Sequence, residues 1–206
     1  QAKGAMKYVE HLQSGAARID LDREVTADLV ARQDREDGLG KSIAVVGDRM
    51  HGFLQRTPRS RGDGGTRDRG AMAWTALRLH GAPAKVTTDA VVLNSPRLTV
   101  LPGPRGQLAA ITADGGDSRL QQLGVGGATF RSKFPIHLVR TANSIGELHR
   151  AYGFPAASLG ALDQLEIVTF EGAAEVDAGD GISVTADRGM NLFRPQVAAF
   201  GGALVA

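Results

Sequence analysis

The chain reads as an α+β protein with a helical N-terminal arm over residues 1–56, then an Arg/Gly-rich extended loop and short element over 57–84. A mixed, mainly antiparallel β domain with one or two short helices follows over 85–206. Three observations predict this. Leu21, Val25 and Leu29 recur at four-residue spacing, as on one face of a helix. Between Arg56 and Gly70 five arginines and two aspartates alternate with glycine and proline. From Lys85 onward, short β-rich runs are separated by Gly, Pro, Asn and Asp clusters.

The elements follow in order. Asp20 is placed to cap a helix "LDREVTADLVARQD", with acids early in the segment where the helix dipole favours them. A second helix is expected from Ser42, because Ile43, Val46, Met50 and Phe53 keep an i, i+3, i+7 rhythm. A short strand ending at Gly47-Asp48 is the alternative there. "AMAWTALRLHG" is a short helix or strand carrying Trp74, the only tryptophan. "KVTTDAVVLN", "RLTVLP", "GQLAAITA", "FPIHLVR" and "LEIVTFEG" read as strands, and "SIGELHRAYG" as a short helix opened by the Ser144/Glu147 capping box. The terminal strands lie within "AAEVDAGDGISVTADRG" and "PQVAAFGGALVA".

Composition narrows the function. With 206 residues, 42% of them hydrophobic, the chain can build one well-filled domain, and 5% aromatics leave Val, Leu, Ile and Ala to fill it. No run approaches the length of a membrane-spanning helix. The absence of cysteine excludes disulfides, thiolate metal sites and thiol nucleophiles. The five histidines form no HxH or HExxH pair, so neither metal nor cofactor is expected. The excess of basic over acidic residues is small, 24 against 22, and the segment from Arg56 to Gly70 supplies it. A local basic patch on a near-neutral body does not make a globally basic nucleic-acid binder. The first residue is glutamine rather than methionine, as expected of a processed or tag-derived end.

Several motifs carry candidate chemistry. "DGLGKS" supplies Gly40, Lys41 and Ser42 of a phosphate loop, but the position of the motif's first glycine holds Arg35. A helix C-cap followed by a serine N-cap explains the same residues. On the enzymatic reading this segment binds a nucleotide, with Asp48, Asp114 or Asp117 as base or metal ligand. "ITADGGD" and "VDAGDG" set Asp114 with Asp117, and Asp177 with Asp180, on glycine turns. Neither matches a calcium loop, and Asp-Gly is ordinary hairpin chemistry. No G-x-S-x-G elbow occurs. Arg61-Gly62-Asp63 matches a three-residue receptor tripeptide, a match short enough to arise by chance.

The block from Glu171 to Ala206, with its Ala-Gly-Asp turn and later Gly-Gly-Ala strand, resembles β-rich segments of tailed-bacteriophage head proteins, both capsid and decoration subunits. A cupin metal strand is not supported, because Met190 and Asn191 stand where a histidine would be needed. The resemblance implies a shell subunit and transfers no site residue.

The expected function is therefore that of a non-enzymatic structural subunit of a repeating assembly. Its partners would be copies of itself, and further shell proteins or packaged DNA, with no membrane. A virion or cytoplasmic location follows. Arg56, Arg59, Arg61, Arg67 and Arg69 would make inter-subunit or phosphate contacts. The nucleotide-binding enzyme and the nucleic-acid module are the alternatives.

Overall fold

The computed structural model describes residues 4–11, 13–30, 42–56, 72–88, 90–102, 108–124, 127–141, 164–179 and 181–196. About 78% of these residues are strand, none is helical, and the strands form one thirteen-stranded antiparallel sheet. They are β1 (Met6–His11), β2 (Ala16–Val30), β3 (Ser42–Arg56), β4 (Met72–Thr87) and β5 (Val91–Pro102). Then come β6 (Leu108–Asp114), β7 (Ser118–Gln122), β8 (Thr129–Ser132), β9 (Ile136–Thr141) and β10 (Gln164–Phe170). The last are β11 (Ala174–Asp177), β12 (Ser183–Ala186) and β13 (Met190–Gln196).

The helical arm is thus overturned, and with it the α+β class. Residues 16–30 and 42–56 are strands of fifteen residues each. Four-residue spacing misleads here because four is even, so Leu21 and Val25 also share one face of a strand. In β3 the helical rhythm mixes faces: Ile43 and Met50 are buried, whereas Val46 is 42% exposed. The residue it passed over, Val45, is fully buried. Pairing along nearly the full length of both neighbours outweighs local propensity. Segment 72–84, expected as a short element at the end of a loop, is most of the sixteen-residue β4. The short helix expected at 144–153, the Arg/Gly loop beyond Arg56 and the last strand of "GGALVA" lie outside the described residues.

The order of the strands is simple once their bends are recognised. Strand β5 pairs with β4 along one edge. Along the other, Arg97 to Pro102 pair with β6 and Val91 to Asn94 pair with β7. Beyond this fork, β6, β9, β10 and β13 follow one another on one side, and β7, β8, β11 and β12 on the other. Only three residues separate β6 from β7, β8 from β9, β10 from β11 and β12 from β13. Each such pair is one long strand turned through a corner. The chain is consequently an up-and-down meander of long bent strands, folded over along a single crease.

The crease runs through the first strands as well. Register shifts fall between Asp22 and Val25, between Val46 and Arg49, and between His80 and Ala84. Arg23 and Glu24 have positive φ, and the bond from Ala82 to Pro83 is cis. Bulges that aim two halves of one strand into different layers are the ordinary means of building a sandwich corner. Gly47 is needed at this line, because a Cβ there would lie 2.9 Å from the His80 carbonyl oxygen.

Folding along the crease turns the apolar faces of the two halves toward each other. In the first half one register row reads Met6, Leu21, Met50, Leu79, Leu98, Ala113, Ile136, Phe170 and Met190. A parallel row reads Tyr8, Ile19, Gly52, Leu77, Val100, Ile111, Leu138, Val168 and Leu192. The second half carries Ala27, Val45, Val86, Leu93, Leu120, Phe130, Val176 and Val184. The middle members of each row are buried in one shared core, and Phe130 stacks on Phe170 across the fold, with ring centroids 5.6 Å apart.

At the fork the core contains two buried hydroxyls. Ser95 Oγ donates to the Asp114 carbonyl at 2.9 Å and accepts from Ser118 Oγ at 2.9 Å. Replacing Ser95 by Ala strands both partners, at a cost of about 1–3 kcal/mol. In a denaturant double-mutant cycle, Ser95→Ala with Ser118→Ala should cost less than the sum of the single changes.

Candidate functional site

Strand β3 separates the two segments that the sequence singled out. Ser42 opens it, paired in register with Val30, and Arg56 ends it, paired with Met72. The crease at Val46–Arg49 lies between these two residues, so the glycine-lysine segment and the arginine loop adjoin opposite ends of β3. Gly40, Lys41, Arg59, Arg61, Arg67 and Arg69 lie outside the described residues. After Ser42 the chain continues as a strand, whereas a phosphate loop needs a helix whose N-terminus faces the phosphates. Arg56 Nη2 holds Glu10 Oε1 on β1, and the Tyr8 phenol donates to Glu10 Oε2 at 3.1 Å. Partial burial, followed by that hydrogen bond, holds the Tyr8 pKa above its ordinary value.

Asp48, Asp114 and Asp117 are not assembled into a centre. Asp48 lies beside Gly47 at the crease, and Asp114 pairs with Arg97 at 2.6 Å. Asp117 has positive φ directly after Gly115 and Gly116, as a tight turn demands. Asp177 Oδ1 accepts from the Gly179 amide at 3.1 Å and so closes the β11–β12 hairpin. Among the described residues no three His, Asp or Glu side chains are grouped to hold a metal.

The outer face carries two polar constellations that sequence reasoning missed, because they depend on strand register. Beside the crease Asp20 accepts from Arg18 Nε at 2.6 Å and from His51 Nδ1 at 2.8 Å, and His51 meets the His80 ring edge-on. The His51 hydrogen bond, reinforced by Arg18, holds the Asp20 carboxyl below its ordinary range. Burial pushes the His80 pKa below 6.5, helped by the charges of His51, Arg49 and Arg97 and opposed by Asp114. An open hollow lies over these groups, lined by Asp48, Arg49, His51, His80 and Pro96.

The second constellation is Thr112, His137 and Glu171. Thr112 Oγ1 lies 3.2 Å from His137 Nδ1, and His137 Nε2 lies 2.6 Å from Glu171 Oε1. Hydroxyl, imidazole and carboxylate thus follow in the sequence of a nucleophilic triad. Thr112 and His137 stand directly opposite on neighbouring strands, and Glu171 is about half exposed. Neither the hollow beside His51 and His80 nor the one lined by Arg131, Glu175 and Ile182 includes them. A cross-strand polar ladder accounts for the arrangement.

What distinguishes the molecule most is the two ends of its meander. Met6, at the start of the first inner row, is 70% exposed, and Tyr8 beside it is 49% exposed. At the other end Met190 and Leu192 are half-buried, and Val184 is 54% exposed. Among the described residues, β1 and the Val25–Val30 half of β2 have a neighbour on one side only at one end, and β12 and β13 do so at the other. Between the ends the inner face is half-covered near Trp74, whose ring covers Gly52 so closely that a Cβ there would lie 2.2 Å from it.

The depressed pKa values set the response to acid. A histidine held neutral by the fold opposes folding once protonated, so stability should fall as pH drops below about 6.5. Asp20 adds a further loss below about 4 as its carboxylate is protonated. Urea titrations between pH 7 and 5 should show the slope for the wild type and a flatter response for His80→Gln.

Set against protein families, curated proteins and solved structures, the chain finds no match in any of the three.

Proposed function

We propose that this chain is a non-enzymatic subunit of a repeating assembly, and that copies join end to end by strand addition. The observation that carries the reading is that the inner apolar rows run the full length of the meander, each ending in an exposed member at one end (Met6, Tyr8 or Val184) and a half-buried one at the other. Sheet edges of this kind recruit further strands unless they are protected. β13 carries Pro195, and β1 carries Lys7, each a partial safeguard of the sort edge strands use. Addition of β1–β2 of one copy to β12–β13 of the next would continue the sheet and give Met6 and Val184 apolar neighbours. A contact between two different surfaces closes into a ring or grows as a filament. The resemblance of residues 171–206 to phage head proteins supplies one setting, a virion shell. Such a subunit would need no cofactor, and no helix among the described residues is long and apolar enough to cross a membrane.

Light scattering tests this directly. Mass should rise with concentration above the monomer's 21.6 kDa. Met6→Glu or Val184→Glu, each a charge at an exposed site, should shift the rise to at least tenfold higher concentration without altering the melting curve. A monodisperse monomer up to millimolar concentration would sink the proposal.

One observation favours a second reading, a carrier of elongated apolar molecules. Trp74 is partly buried on the inner face of a sheet whose two edges, among the described residues, do not pair with each other. On that reading a long-chain fatty acid should shift Trp74 emission to the blue and a brominated analogue should quench it. Unchanged emission with saturating fatty acid would exclude it.

A further inference from the structure

The outer surface of the half containing β7, β8, β11 and β12 carries a row unlike any other on the sheet. Register sets Thr26, Val46, Lys85, Asn94, Arg119, Arg131, Glu175 and Thr185 side by side across the strands. Lys85, Arg119 and Arg131 are exposed, and Arg119 and Arg131 stand directly opposite each other. Like charges so placed destabilise a sheet. In the other half the same face sets Arg18 on Asp20, Arg49 on Asp22 and Arg97 on Asp114. Among the described residues no carboxylate is within ion-pair distance of Lys85, Arg119 or Arg131; Glu175, the neighbour of Arg131 in register, forms no such pair.

We propose that this row binds the phosphate backbone of nucleic acid without reading its sequence. Three strand spacings separate Lys85 from Arg131, about 14 Å, enough to lie along several successive phosphates. The flanking outward row reads Thr87, Val92, Gln121, Thr129 and Asp177, and the hydroxyl and amide groups in it are of the sort that meet phosphate and sugar oxygens. A lipid surface would call for a continuous apolar face beside the cations, whereas the exposed apolar neighbours here are single side chains, Val46 beside Lys85 and Ile182 in one hollow with Arg131, with Gln121 and Thr129 flanking the arginines. The inference does not depend on end-to-end assembly, since the row lies on the outer face within a single copy.

Fluorescence anisotropy on the full chain with a labelled 20-nucleotide DNA of mixed sequence, single-stranded and duplex, tests it. Three phosphate contacts should weaken single-strand binding about 20-fold between 50 and 200 mM salt, and duplex binding about 40-fold, a log–log slope near −2.7 for the duplex. The double change Arg119→Gln with Arg131→Gln should lower that slope to about −0.9, while Arg18→Gln with Arg49→Gln leaves it unchanged. Both variants are checked for an unaltered melting curve, and Arg119→Lys with Arg131→Lys should restore binding. No binding at 25 mM salt would overturn the proposal. So would binding that survives R119Q/R131Q but is lost on changing Arg59 and Arg61, or attachment to vesicles containing phosphatidylserine without any to DNA.

Discussion

The fold rests on one geometric constraint: the apolar faces of two half-sheets must meet, although a single continuous run of hydrogen-bonded strands carries both. A flat meander would leave half its Val, Leu and Ile surface in water, a penalty of about 25 cal/mol for each Å². The crease removes it. Bulges at 22–25, 46–49 and 80–84 swing each strand from one layer into the other, and Ser95 stands where β5 exchanges β6 for β7. Its hydroxyl holds the Asp114 carbonyl and the Ser118 hydroxyl, so the polar groups exposed by the fork are satisfied inside the core. Phe130 on Phe170 then locks the two layers together.

The same constraint arranges the rest of the surface. Inner rows are apolar and outer rows polar, because neighbouring residues on a strand point to opposite faces. The outer row next to the Met6–Met190 row reads Lys7, Asp20, His51, Arg78, Thr99, Thr112, His137, Thr169 and Asn191. Acids, histidines and hydroxyls therefore meet across strands in chains such as Thr112, His137 and Glu171. Arg18 and Arg78 both lie over the Phe53 ring, at 5.9 and 5.3 Å, which covers an outward aromatic with cations.

Much of the second half of the chain was legible. Ile111 and Ala113, or Leu138 and Ile136, alternate with polar neighbours, and the turns at Gly115-Gly116 and Gly179 use glycines with positive φ. The N-terminal half was not, since Leu21 and Val25 satisfy helix and strand periods alike and the bulge at Arg23-Glu24 interrupts the alternation. "LGVGGATF" hid β8, because Thr129–Ser132 is only four residues long and follows a glycine-rich turn. The polar constellations were illegible for another reason. Thr112 and His137, or Asp20 and His51, lie about 25 to 31 positions apart and meet only through register.

The meander has a consequence for how the chain acquires its shape. From β2 onward every long bent strand pairs with the one just before it in sequence, so no pairing has to wait for a distant segment. Loop-closure entropy is then met in small instalments, and folding can spread from any hairpin to its neighbour, as in repeat proteins. An all-β molecule built this way escapes the slow search that long-range strand pairing usually imposes. The same arithmetic makes its length adjustable: a hairpin added at either end extends the crease and both layers without altering a contact at the centre.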